Sequence, residues 1–147
     1  MKIAIGTDHA GERFAQASLL YMASQGIEVV SFLPNFINPT SVDYPDFASL
    51  VAAQVAQKTC DFGVLICGTG IGMSIAANKY KGIRAAVVHD AFTARACRAH
   101  NNANILCVGD RVIGLGVFEE CLRIFLSTPF EGGRHLTRVC KIEQLER

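Results

Sequence analysis

Five apolar runs of four to six residues recur along the chain, and each leads into a longer stretch where apolar positions return with helical spacing. The runs are Lys2-Ile3-Ala4-Ile5-Gly6, Ile27-Glu28-Val29-Val30, Phe62-Gly63-Val64-Leu65-Ile66, Ile83-Arg84-Ala85-Ala86-Val87-Val88 and Asn104-Ile105-Leu106-Cys107-Val108. Short β-rich runs of this kind, lacking strict alternation, predict strands buried on both faces. The intervening stretches predict helices over Gly11–Gln25, from about Pro45 to Gln57, Gly70–Tyr80, Asp90–Arg98 and Gly114–Leu126. A further helix, Leu136–Leu145, follows Glu131-Gly132-Gly133, and a polar, Pro-containing loop runs from Leu33 to about Pro45. No internal repeat, low-complexity tract or linker interrupts this order. The pattern predicts one domain over residues 1–147: a three-layer α/β/α sandwich on a five-stranded, parallel, Rossmann-like sheet, with a C-terminal helix.

Composition narrows the class. Half of the 147 residues are apolar and 18% are charged, which suits a folded domain with a real core. A formal net charge of +1 gives no reason to expect nucleic acid or a membrane surface as partner. The apolar stretches are too short for a membrane span, and the chain begins directly with a strand, so a cytoplasmic protein is expected. The cysteines at 60, 67, 97, 107, 121 and 140 raise the question of disulfides. Cys107 falls in an apolar strand and Cys97 and Cys121 in helical patterns, so most read as small buried hydrophobes. No CxxC or Cys/His pair has zinc spacing.

In parallel sheets ligands bind at the carboxyl ends of the strands. The loops predicted there are Asp8-His9-Ala10-Gly11, Cys67-Gly68-Thr69-Gly70-Ile71-Gly72-Met73-Ser74, His89-Asp90 and Gly109-Asp110-Arg111. The octet after the third run carries most information, because a strand delivers a thiol, three glycines and two hydroxyls to the mouth of a helix. Alternate glycines bring backbone N–H groups close to a ligand, and the helix start adds donors and partial positive charge. That setting favours a thiolate at Cys67 and can hold an oxyanion or a phosphate. The glycines fit neither the dinucleotide fingerprint nor a P-loop, and a plain strand-to-helix turn is the alternative. Thr69 and Ser74 are equally suited to capping the helix.

The remaining groups are each open to two readings. Asp8-His9 could orient a hydroxylated ligand, or Asp8 could cap the first helix. His89 reads as structural and Asp90 as an N-cap. His100-Asn101-Asn102, after the fourth helix, could serve chemistry or simply end the helix, since His and Asn are favourable there. Arg134 and Arg138, four residues apart, repel each other mildly, and a phosphate between them would convert the repulsion into charge-assisted contacts. A low-pKa thiol, an anion hole, a histidine and an arginine pair together suit proton abstraction beside a carbonyl in a small phosphorylated substrate.

At these residues the chain resembles the type B ribose-5-phosphate isomerases, whose wider family includes galactose-6-phosphate isomerase subunits. The resemblance lies in Ile5-Gly6-Thr7-Asp8-His9-Ala10-Gly11, Asp43-Tyr44-Pro45, Cys67-Gly68-Thr69-Gly70-Ile71-Gly72, Ser74-Ile75-Ala76-Ala77-Asn78-Lys79 and Gly82-Ile83-Arg84-Ala85-Ala86. It continues through His100-Asn101, Asn104, Gly109-Asp110-Arg111-Val112-Ile113-Gly114 and Phe130-Glu131-Gly132-Gly133-Arg134-His135. The resemblance implies Cys67 as the base that moves a proton between C1 and C2, and His100, with Thr69 nearby, as the group that opens the furanose ring. It implies Asp8, His9 and Asn101 on sugar hydroxyls or phosphate, an anion hole from Gly68, Thr69, Gly70, Ile71 and Gly72, with Ser74 beside it, and Arg111, Arg134 and Arg138 on phosphate. Some members replace the cysteine with a glutamate at the position of Met73 or Ser74; neither is acidic here. The segment Leu33-Pro34-Asn35-Phe36-Ile37-Asn38-Pro39-Thr40 departs from the family pattern, and a shift in substrate choice is expected to originate there. The family uses no cofactor.

The expected activity is aldose–ketose isomerisation of ribose 5-phosphate and ribulose 5-phosphate through an enediolate. The same chemistry on a six-carbon phosphosugar such as allose or galactose 6-phosphate, and a non-catalytic sugar-phosphate module, remain open at this stage. Topology adds one expectation. Each helix of a parallel sheet runs back against its strands, so the fourth helix ends at the amino edge while Cys67 lies at the carboxyl edge. His100 and Cys67 of one chain are then too far apart to share a substrate, which predicts a homodimer with composite sites, open to further pairing into a tetramer.

Overall fold

In the computed structural model, which describes residues 1–38 and 40–146, the five apolar runs become strands β1 (Lys2–Thr7), β2 (Glu28–Phe32), β3 (Phe62–Cys67), β4 (Ala85–Val87) and β5 (Ile105–Gly109). All pair in parallel in the order β2-β1-β3-β5-β4. Six helices complete the chain: α1 (Glu12–Ser24), α2 (Tyr44–Ala56), α3 (Ile71–Ala77), α4 (Ala91–Asn101), α5 (Leu115–Ser127) and α6 (Arg134–Glu143). The strands read as continuous apolar runs because both faces are covered. Ile3, Ile5, Val64, Ile66, Leu106 and Val108 point into a core with α1, α4 and α5. Their alternates Ala4, Leu65, Cys67, Ile105 and Cys107 point into a second core with α2 and α3. This is the three-layer α/β/α architecture expected.

Phe14 of α1 stacks on Phe118 of α5 at 4.3 Å, both fully buried. Each such side chain contributes roughly 1.5–3 kcal/mol by burial alone. The pair locks together the two helices whose first turns flank the carboxyl edge of the sheet. Asp90 caps α4 as read from the sequence, its carboxylate accepting from the Thr93 N–H at 2.7 Å. That bond also holds the Asp90 carboxyl below its usual range. Burial pushes the thiols of Cys97 and Cys121 up to about 11 and raises Cys60 and Cys107 as well, so these four behave as the expected apolar fillers. No helix among the described residues is long and apolar enough to cross a membrane.

Several boundaries differ from the sequence reading. The fourth helix runs on through His100 and Asn101, because Asn102 takes the left-handed conformation at φ 48° and returns its N–H to Arg98. The third helix stops at Ala77, where the Asn78 side chain turns away to bond both the N–H and the carbonyl of Ala85. The last helix starts two residues early, at Arg134, after Gly132 and Gly133 turn the chain with positive φ. β2 extends to Phe32, while β4 is only three residues long, the Arg84 N–H at its entry donating to the Asn104 side chain. Pro39, within the segment singled out as divergent, lies outside the described residues, as does Arg147.

Candidate active site

The chain leaves β1 toward β2 on one side and leaves β3 toward β5 and β4 on the other. The loops after β1 and β3 therefore diverge and open a crevice at the carboxyl edge between them, where such sheets bind ligands. Asp8 and His9 follow β1, and Cys67 is the last residue of β3. Asp8 is buried, and its carboxylate accepts from the Ala10 N–H at 2.9 Å. The residue at the N-cap of α1 is Gly11, which corrects the reading of Asp8 as that cap. His9 is exposed, and its Nδ1 accepts from the Val42 N–H at 3.3 Å, fastening the end of the divergent loop to the crevice.

The Cys67 loop is built by its glycines. Gly70 sits in the left-handed region at φ 79°, and a Cβ there would come within 2.9 Å of the Val108 backbone. This conformation, unfavourable for other residues, aims the Gly70 N–H at Cys67 Sγ, 3.0 Å away. Gly109 lets the Thr69 backbone rest directly on β5, since a Cβ would lie 2.6 Å from Thr69 Cα. Thr69 Oγ1 accepts from the Ile71 N–H at 3.3 Å, but the N-cap of α3 is Gly70 and no side chain caps the helix, which corrects the reading of Thr69 and Ser74 as caps. The N–H groups of Gly72 and Met73 find no acceptor among the described residues. α3 has only seven residues, so the free N–H groups of its first turn, rather than a long helix dipole, make this pole positive. Ser74 faces elsewhere: its hydroxyl donates to the Ala85 carbonyl at 3.0 Å and ties α3 to β4.

Arg111 reaches over the loop from β5. A Cβ on Gly68 would lie 3.5 Å from its Nε and Nη1, so the guanidinium stands beside the anion-facing backbone. Its neighbour Asp110 is the fastener that sequence reasoning missed. The Asp110 carboxylate accepts from Arg13 Nε at 3.0 Å and from the Phe14 N–H at 3.4 Å. The Asp110 N–H donates to the Cys67 carbonyl at 2.9 Å, and the Arg111 N–H donates to the Gly68 carbonyl at 3.2 Å. Asp110 thus joins the first turn of α1, through its carboxylate, to the Cys67 loop, through its backbone N–H. Gly109-Asp110-Arg111 pointed to the position, but nothing in the sequence pairs Asp110 with Arg13. Tyr44 was also given no role; its ring lies over Gly72, 2.6 Å from where a Cβ would stand.

The other half of the candidate set lies at the opposite edge. α4 runs antiparallel to the strands and ends at Asn101, and β5 begins at Ile105, so His100 and Asn101 sit at the amino edge. Eleven residues of α4 span about 16 Å at 1.5 Å per residue, which separates His100 from its own chain's Cys67 as expected. The His100 ring stacks on His135 at 4.4 Å with an interplanar angle of 7°. The Glu131 carboxylate lies 3.5 Å from His135 Nε2 and 4.0 Å from His100 Nε2. Arg134 and Arg138 are exposed on α6 beside this stack. Burial, with the adjacent His100 and Arg134, lowers the His135 pKa from its ordinary value. Zinc-type spacing in sequence missed this cluster because His100 comes from the end of α4, whereas Glu131 and His135, four residues apart, come from the entry to α6. Glu131 and His135, quoted only as part of a motif, carried no separate signal.

The structure brings Asp8, His9, Cys67, Gly68, Thr69, Gly70, Ile71, Gly72 and Arg111 together, and His100, Asn101, Arg134 and Arg138 together, but not the two groups with each other. A cleft of about 870 Å³ between α1 and α5, lined by Arg13, Tyr21, Glu120 and others, contains none of these residues. Its size does not make it the site, since it offers no thiol and none of the free N–H groups of the α3 first turn.

A doubly wound parallel sheet with a thiol in a glycine loop at its switch point defines an α/β enzyme with its chemistry on loops. The chain belongs to the ribose/galactose isomerase family, whose sequence pattern matches residues 3–142, and it is an isomerase. It is 41% identical over 146 residues to ribose-5-phosphate isomerase B of Escherichia coli, with 99% of this chain and 97% of that protein covered. The solved structure of ribose-5-phosphate isomerase B from Clostridium thermocellum superposes with a TM-score of 0.95 at 47% identity, covering 99% and 97% of the two chains. The Mycoplasma genitalium enzyme, solved with bound ribulose-5-phosphate, superposes with a TM-score of 0.94 at 40% identity, covering 99% and 95%.

Proposed function

We propose that this protein interconverts ribose 5-phosphate and ribulose 5-phosphate through an enediolate, with Cys67 as the proton-transfer base, in a site built from two copies of the chain. The observation that carries this reading is the Cys67 sulfur at the mouth of the crevice, receiving the Gly70 N–H at 3.0 Å among free loop N–H groups. The ribulose-5-phosphate held by the Mycoplasma genitalium relative supports the substrate class. In the forward direction the thiolate takes the proton from C2 of the open-chain aldose. Negative charge moves onto O1, where loop N–H groups stabilise it. The O2 hydroxyl proton passes to O1, and the thiol returns its proton to C1 as O2 becomes the ketone, so atoms and electrons balance and no redox partner is needed. Asp8 and His9 orient hydroxyls. His100 of a second copy transfers the proton that opens the furanose ring, and Asn101, Arg134 and Arg138 of that copy hold the sugar and its phosphate.

The pairing has a surface to use. Ile71 is 53%, Phe92 76% and Val112 50% exposed, and each stands just after a strand's carboxyl end. Exposed apolar side chains along one edge of the sheet suit an interface. A two-fold axis that brings this edge against the amino-edge groups of a second copy completes two equivalent sites. The test is complementation. Cys67→Ser and His100→Ala proteins are each inactive; mixed under conditions shown to exchange subunits, they form heterodimers with one intact site, and activity returns. Exchange without recovered activity rejects the shared site. No interconversion of ribose 5-phosphate and ribulose 5-phosphate by the wild-type protein rejects the substrate reading itself.

A further inference from the structure

We propose that His100, Glu131 and His135 form a binding site for a Zn²⁺-class transition-metal ion, through which such ions reversibly inhibit the enzyme. The proposal rests on the function proposed above only for its inhibitory consequence; the binding stands on the cluster alone. One ligand atom from each residue lies within 4.8 Å of the other two. Two imidazoles and a carboxylate are the donor set that suits zinc, and a three-ligand set leaves the fourth position open to water.

The backbone places all three donors. His100 stands in the last turn of α4. The Glu131 N–H donates to the Ala99 carbonyl at 3.0 Å, which holds the 128–133 segment against that turn. The His135 N–H donates to the Gly132 carbonyl at 3.0 Å, so Glu131 and His135 share one side of the entry to α6. His135 is buried at 6% exposure and its ring is held by the stack, while the His100 side chain is 45% exposed. Tetrahedral coordination with bonds of about 2.0–2.1 Å asks for donors about 3.4 Å apart. Glu131 and His135, at 3.5 Å, already meet that spacing, and His100, at 4.0 Å from the carboxylate, has to tilt inward from its stack. His100 is thus the ligand that moves, and it is also the side chain the ring-opening step needs. An ion bound there takes the imidazole lone pair out of use and stands beside Arg134 and Arg138, where the sugar phosphate is held. The positive charge of those arginines opposes the ion, which makes the site an inhibitory one rather than that of a resident cofactor.

The test uses Co²⁺ as a spectroscopic probe on the full-length protein in the absence of substrate. One Co²⁺ per chain is expected, with visible d–d absorption and no near-ultraviolet thiolate-to-cobalt band. Glu131→Gln and His100→Gln, both at exposed positions that spare the core, should each weaken binding by about tenfold or more. Zn²⁺ should displace Co²⁺ and slow turnover, with recovery on adding a chelator. A thiolate band, placing the ion on Cys67 or Cys140, overturns the proposal, and so does unchanged affinity in both variants. Binding that meets these criteria in a protein with no isomerase activity leaves the metal site standing and removes the function proposed above.

Discussion

The two edges of the sheet solve different problems with different materials. At the carboxyl edge the geometry is made by backbone: Gly70 in a left-handed turn, Thr69 seated on Gly109, and Asp110 joining three loops. At the amino edge it is made by side chains: a histidine stack, a carboxylate and two exposed arginines on α6. Backbone placement is stiff, which suits a base that must sit over one carbon atom. Long side chains adapt, which suits holding a phosphate several bonds from the reaction. The two groups of candidate residues therefore stand at opposite ends of one small domain, and the function proposed above, which uses both, calls for a second copy to bring them together.

The sharpest way to break this division is at Cys67. Cys67→Ser should lower kcat by about 10²–10⁴-fold with KM little changed, because a hydroxyl is a far poorer base in the same place. Iodoacetamide should inactivate the wild-type protein, with protection by sugar phosphate. Near-normal turnover in the serine variant would move the base elsewhere, with Asp8 the next group in the crevice. Arg138→Ala tests the other edge. Loss of one charge-assisted phosphate contact, about 1.5–3 kcal/mol, should raise KM about 10- to 150-fold for phosphorylated sugars and leave free ribose nearly unaffected. Equal losses on both substrates would show that Arg138 supports the fold instead.

Asp110 sharpens the comparison within the carboxyl edge. Asp110→Asn should cost about 1 kcal/mol of stability, since Arg13 is half exposed and solvent screens the pair. It should also slow alkylation of Cys67, because the loop carrying the thiol loses its tie to α1. A stability loss with unchanged thiol reactivity would reduce Asp110 to a structural clamp. The smallest effect concerns acid. The His135 pKa is lowered in the folded chain, chiefly by burial and then by His100 and Arg134. Above an unfolded value of about 6.5 neither state carries the proton, and stability is complete. As the pH falls below it, the unfolded chain takes up a proton that the folded chain resists, and stability drops. The fall in Tm between pH 7.5 and 5.5 should therefore be larger in the wild type than in His135→Gln; equal falls would show that the stack does not resist protonation.

By itself the sequence determined the layer order, the parallel sheet and the carboxyl-edge loops, because apolar runs and glycine turns are local signals that tertiary contacts only reinforce. Cys67, Thr69 and Gly70 were legible for the same reason, as their geometry is made within a few residues. The separation of His100 from Cys67 was legible too, since it follows from the direction of a helix in a βα unit. Only the tertiary structure decided what depends on distant partners. The Asp110–Arg13 bond spans 97 positions of chain, and Ser74 was drawn to β4 by the Ala85 carbonyl. The His100–Glu131–His135 cluster joins the end of α4 to the entry of α6, a pairing that follows no metal motif. The end of α4 went to the structure as well, because Asn102 adopts a left-handed conformation once its side chain bonds Arg98, and a contact made on folding leaves no periodic trace in the chain.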